Sequence, residues 1–205
     1  MDILDYGFLS QIITFIFSLF FYVKYKTNFL LLLTLLLFAT VLVESIGTYL
    51  SYIKKPSYKY HYVYVLVELL IISFMYFKLM KNKKWRVLFI GLTVSFLLFW
   101  ISVYFNSKLF HYLIIFEGVI ISLYVFLYLK ELLLSNKILN YKKLLPFWIS
   151  VGFSVFYLSS IPFFAFLKYM KGRELFYIVS ILIILMNLFI VTGLIWSKKE
   201  VNIIK

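Results

Sequence analysis

Residues 28–53 read NFLLLLTLLLFATVLVESIGTYLSYI, an apolar run interrupted by a single charged side chain, Glu44. A bilayer asks this of a spanning helix: ~20 predominantly apolar residues, because the hydrocarbon layer is ~30 Å thick and each residue advances ~1.5 Å. The run does not alternate apolar and polar positions as the ~10-residue strands of a membrane barrel do, so a helix is the spanning structure that fits.

Working outward, basic clusters and Pro or Asn positions divide the rest of the chain into similar runs. Spans are expected near 7–23, 28–53, 60–79, 86–105, 109–129, 144–167 and 175–196. With 64% hydrophobic residues over 205 positions, the chain has too little polar surface for a soluble core of its size. The expected architecture is all-α: one transmembrane domain over residues 1–205, a polytopic bundle of about seven helices with no soluble domain. The first run follows MDILDYGFLS, which lacks the basic start and small-residue cleavage site of a signal peptide, and is kept as a helix. The absence of cysteine excludes disulfides, thiolate metal sites and a Cys nucleophile.

Short cytoplasmic loops retain Lys and Arg. Lys24, Lys26, Lys78, Lys81, Lys83, Lys84, Arg86, Lys130, Lys137, Lys142, Lys143, Lys198, Lys199 and Lys205 fall on one face, 14 of the 21 basic residues. This bias puts the N-terminus outside and the C-terminus inside, as expected of a multi-pass protein of a bacterial inner membrane. The strongest vote comes from KLMKNKKWR, while IKKPSYKYH dissents with three lysines on the outer face. Among the prolines, Pro56 suits a turn and Pro146 a first helical turn. Pro162, inside the sixth span, deprives the Leu158 carbonyl of its donor, so a kink is expected there, with the Ser159 and Ser160 hydroxyls as the nearest substitutes.

Three acids, Glu44, Glu68 and Glu117, fall inside spans, where a charge costs ~2.5–3.5 kcal/mol on insertion scales and therefore faces the bundle, a partner or water. Each lies ~12–14 Å below the outer surface at ~1.5 Å per residue. If their helices are neighbours, the three carboxyls cannot all ionise, and a retained proton or a shared cation balances them. The plainer alternative is a protonated Glu hydrogen-bonding the next helix.

A partial repeat accompanies these acids. HYVYVLVELLIISFMYF begins at His61 and HYLIIFEGVIISLYVF at His111, each with a Glu about two turns below the His-Tyr pair. His61, Tyr64 and Glu68, spaced i, i+3, i+7, share a helix face. The seventh span carries Asn187 one turn deeper than the corresponding Glu. Glu44, Glu68, Glu117 and Asn187 are the candidate proton or cation site, with His61, Tyr64 and His111 lining its outer access. Gly47 and Gly118, beside two of the acids, suit close helix approach.

No motif requires a cofactor or a metal: there is no phosphate loop, no His pair at metal spacing and no nucleophile elbow. The last span has no interior Lys, which excludes a retinal protein of the rhodopsin type.

The pattern Glu44-x-x-Gly47 followed by Tyr64-x-x-x-Glu68 resembles small seven-helix proteins of unknown role in low-GC Bacteroidetes genomes; it covers about a quarter of the chain and implies no activity. The size, the Lys-rich loops and the missing soluble domain are similar to small membrane accessory proteins found beside RNA-targeting CRISPR effectors.

Three functions compete. A channel- or transporter-like protein would use the carboxylate layer for protons or cations; so short a chain would do so as a simple channel or a homo-oligomer. A signalling, accessory or effector module, for example in prokaryotic defence, would meet anionic lipid, RNA or a cytoplasmic protein through a basic patch at Lys81, Lys83, Lys84 and Arg86, although the positive-inside rule alone also produces such a face. A lipid-modifying enzyme, with the carboxyls and His61 or His111 as acid and base, has no diagnostic spacing and ranks last.

Overall fold

A computed structural model describes residues 3–166 and 176–197. Without water in the bilayer, each span must satisfy its backbone internally, and the described chain is helical with no strands. Helix α1 covers Ile3–Tyr25, α2 Asn28–Tyr52, α3 Tyr58–Leu79, α4 Lys83–Phe105 and α5 Phe110–Leu133. The sixth span comprises α6 (Leu145–Phe153), a π-helical turn (Ser154–Leu158) and α7 (Ser159–Phe166); α8 is Phe176–Trp196. Seven helical segments are long and apolar enough to cross a membrane, so residues 3 and 197 lie at opposite ends of the bundle. Residues 167 and 175 of the expected sixth and seventh spans fall outside the described residues.

Local chemistry sets the boundaries. The Thr27 hydroxyl accepts from the Leu30 N–H and the Asn82 side chain from the Lys84 N–H, capping α2 and α4. Pro146 occupies the first turn of α6, where its missing N–H costs nothing. Lys26, just after α1, takes a left-handed conformation with φ of 48°, a place that glycine ordinarily fills.

Six of the seven spans close into a ring. Helix α1 packs on α2, α2 on α3, α3 on α5, α5 on the sixth span, the sixth span on α8, and α8 back on α1. Helix α4 stands outside, against the α3–α5 seam. It buries only Phe89, Phe96 and Val103, whereas α5 buries ten residues.

Polar side chains tie most seams, each bond favoured where no water competes. Ser18 pairs with Thr34 at 2.6 Å, Thr40 with Tyr64 at 2.8 Å, and Tyr76 with Ser150 at 2.9 Å. Thr93 joins Ser73 and Tyr124 across three helices. Tyr62 and Trp100 exchange hydrogen bonds with each other's carbonyls while their rings stack at 4.5 Å. The α6–α8 seam closes differently, by the absence of side chains: a Cβ on Gly193 would lie 2.5 Å from Trp148 Cβ, and one on Gly152 3.0 Å from the Met186 carbonyl oxygen.

The sixth span accommodates Pro162 upstream of the proline. The π turn at Ser154–Leu158 inserts a wide turn immediately before α7, and the Ser160 hydroxyl donates to the Tyr157 carbonyl at 3.1 Å, not to Leu158. An inserted residue rotates the side chains on either side of it relative to a regular helix. Tyr157, within that turn, points into the ring.

Candidate functional site: a polar cavity inside the ring

The positions that insertion scales penalise most converge inside the ring. A cavity of about 120 Å³ is lined by Gln11 of α1, Thr40 and Glu44 of α2, Tyr64 and Glu68 of α3, Tyr157 of the π turn and Asn187 of α8. Leu36, Phe153, Met186 and Ile190 are among its apolar walls. At roughly 30 Å³ for each water in the liquid, the space suits a few waters or one partly hydrated cation.

Glu68 is its centre. The Tyr157 hydroxyl donates to Glu68 Oε1 at 2.5 Å, and Tyr64, one helical turn away on α3, stands beside the same carboxyl. Tyr64 also pairs with Thr40 at 2.8 Å, and Thr40 reaches the Leu36 carbonyl at 3.0 Å. Each hydroxyl has one proton to give. If Tyr64 gives its proton to Glu68, Thr40 must donate to Tyr64; if Thr40 donates to Leu36, Tyr64 turns to Thr40. The chain therefore has two proton arrangements that differ in what Glu68 receives.

Asn187 is oriented by its donors. Its Nδ2 gives protons to the Ile183 carbonyl at 2.9 Å and to Ser10 Oγ at 3.1 Å, while Ser10 passes its own to the Gly7 carbonyl. That arrangement fixes the amide and leaves Asn187 Oδ1 buried with no hydrogen-bond donor; Gln11 Oε1 is in the same position. Both residues line the cavity, at 2% and 5% exposure. An orphaned buried carbonyl oxygen costs ~1–3 kcal/mol and calls for a water or a cation.

The other expected site residues are distributed around this centre. Glu44 lies one turn beyond Thr40 on α2, close enough to feel the charges of both Glu68 and His61. His61 covers Gly47, where an added Cβ would meet its Nε2 at 3.4 Å; the glycine thus admits a side chain more than a helix. Glu117 is buried on α5 but does not line the cavity. It lies near enough to interact electrostatically with Glu68 and Tyr157, and its Oε1 has no hydrogen-bond partner. Gly118 beside it lets the sixth span approach, with Ile161 Cγ1 3.3 Å from a notional Cβ. His111 stays at the start of α5, edge-on to Tyr112 and apart from the cavity.

In the basic loop, Arg86 donates from Nε to the Met80 carbonyl at 2.8 Å and lies over the Phe77 ring, fastening the α3–α4 turn. Lys81, Lys83 and Lys84 are exposed, and Lys81 also borders a second pocket.

Sequence inspection overlooked Gln11, Thr40 and Tyr157. Gln11 had a visible signal, a lone amide in an apolar run. Tyr157 had none, because its direction depends on the π turn. No protein-family model, curated protein or solved structure matches this chain.

Proposed function

We propose that this multi-pass membrane protein binds, and under some condition passes, a proton or a monovalent cation at the cavity around Glu68. The supporting observation is the donor set: two carboxyl groups and two undonated amide oxygens around about 120 Å³, inside a ring of apolar helices. Oxygen-only ligands suit a hard cation or hydronium, and carboxyls within one another's field favour sharing one positive charge. His61, Glu44 and Tyr64 form a polar approach from the end where α2 finishes and α3 begins. Below Glu68 the way is closed by Ile72, Met75 and Tyr76, all buried, so passage needs these side chains to move. Tyr76 is tied to Ser150 and Phe153 of α6, so a shift of the sixth span would carry it along.

Reconstituted vesicles test this. Glu68→Gln keeps the shape but abolishes ionisation, and proton or cation flux should fall at least tenfold while the protein remains folded. Unchanged flux with the same expression would leave Glu68 a structural residue. We also propose that the end carrying Lys78–Lys84 is cytoplasmic, on the strength of the basic bias. A reporter active only in the cytoplasm should work at the C-terminus and fail at the N-terminus. An accessory role beside a cytoplasmic partner is the second reading, favoured by the same lysine-rich end.

A further inference from the structure

At the end of the bundle opposite His61, a second cavity of about 620 Å³ opens between the α1–α2 turn, the end of α3, the end of α5 and the 134–144 connection. Its size falls within the range of small-molecule sites. Five lysines border it, Lys26, Lys78, Lys81, Lys137 and Lys143, drawn from three connections far apart in sequence, and the one carboxylate among the lining residues is Glu131. Glu131 accepts from the Lys81 N–H through Oε1 at 2.8 Å, which holds the α3–α4 turn, while its Oε2 is buried without a hydrogen-bond partner. One carboxylate offsets one ammonium group, so the five lysines keep a large positive surplus. Beneath them the walls turn apolar, with Leu32, Leu79, Tyr128, Leu132 and Leu145 half-buried or buried.

A ring of cations above an apolar floor selects an amphiphile: anionic at the mouth, hydrocarbon below. The surroundings decide its source. Residues 136–143 form a short 3-10 segment along the rim, and Leu134 and Leu139 project from this connection at 82% and 83% exposure. Leucines that bare beside lysines belong at the boundary between headgroups and acyl chains, which puts the mouth against lipid and not in bulk water.

We propose that this pocket is a binding site for an anionic phospholipid, and that it favours one with two phosphates over one with a single phosphate. Basic pockets between membrane helices attract such headgroups, each lysine adding about 1 kcal/mol. Five lysines against one engaged carboxylate exceed what one phosphate neutralises. The Asn28 and Phe29 N–H groups, in the first turn of α2 on the pocket wall and not engaged by the Thr27 cap on Leu30, add donors of the same sign.

The test uses the full-length protein purified in neutral detergent, with thermal unfolding and native mass spectrometry as readouts. Added cardiolipin should raise the unfolding temperature and remain bound, phosphatidylglycerol should do so less, and phosphatidylcholine should not. Lys26→Gly is the sharpest variant, because its φ of 48° suits glycine; it removes a charge without disturbing the fold. It should weaken cardiolipin binding about fivefold, and Lys26→Gly with Lys143→Gln about twentyfold. Lys84→Gln, outside the pocket, should leave binding unchanged. Equal stabilisation by phosphatidylcholine, or equal losses from Lys84→Gln and Lys26→Gly, overturns the site. Pyrophosphate or a single-stranded RNA binding as tightly as cardiolipin, with the same dependence on Lys26, overturns its assignment to lipid.

Discussion

The cavity around Glu68 and the pocket ringed by lysines lie at different levels of one bundle and are built in opposite ways. The deep one is small, acidic and assembled from side chains in mid-helix, each held by a neighbour: Tyr157 on Glu68, Ser10 on Asn187, Thr40 on Tyr64. The shallow one is about five times larger, basic, and edged by exposed side chains from the connections between helices. Electrostatics follows geometry. Charges buried among helices act in low dielectric and are little screened, whereas lysines at a rim act through water and counter-ions. The first arrangement suits selection of one small cation, the second attraction of a large anion.

The comparison breaks most easily at Glu68. Glu68→Gln should lower vesicle flux at least tenfold and remove a carboxyl stretching band, while Glu117→Gln, buried but outside the cavity lining, should change flux less than threefold. Equal losses from the two would merge them into one site.

Tyr157→Phe deletes the hydroxyl that donates to Glu68 and nothing else. A hydrogen bond to a charged group contributes ~1.5–3 kcal/mol, so the variant should unfold several degrees lower and shift the Glu68 carboxyl band. A band that stays in place would mean that Glu68 does not depend on the π turn.

Gln11→Leu sharpens the contrast from the other side. Its Oε1 has no donor, so an apolar replacement should stabilise the bundle by ~1 kcal/mol while weakening cation binding. Lower stability would show that a bound water or ion already satisfies the amide. Smallest of all is the response to salt: from 50 to 500 mM, flux through the deep site should change little once ion gradients are matched, whereas lipid binding at the lysine rim should weaken severalfold.

Much of the fold was legible because lipid leaves few choices. Residues 28–53 and their counterparts read as spans from length and composition, and the structure has seven such helices. Glu44 and Glu68 stood out because acids inside apolar runs are rare. What stayed hidden depends on rotation and on three-dimensional neighbours. Hydropathy fixes depth but hardly constrains the azimuth of a helix, and these helices are apolar all round, so nothing in the spacing showed that Glu117 stays out of the cavity lining. Pro162 announced a distortion, yet the π turn lies before it, where Ser160 could satisfy a different carbonyl. The lysines were counted as a topology signal, but that count carries no information on which five meet around one opening.

Closure of the ring imposes an order on the making of the protein. The longest-range seam, α1 against α8, joins residues such as Ser10 and Asn187 that are separated by 177 positions. During synthesis five other spans are made between α1 and α8, and until then the face of α1 that carries Ser10, Gln11 and Thr14 lacks its final neighbour. Throughout that interval the Ser10 and Thr14 hydroxyls can donate within α1, to the Gly7 and Ser10 carbonyls, but Ser10 Oγ lacks its donor from Asn187. Helix α2, delivered next, can shelter Ser18 through Thr34, but not the turn around Ser10. Closure of the ring at this seam therefore waits for α8.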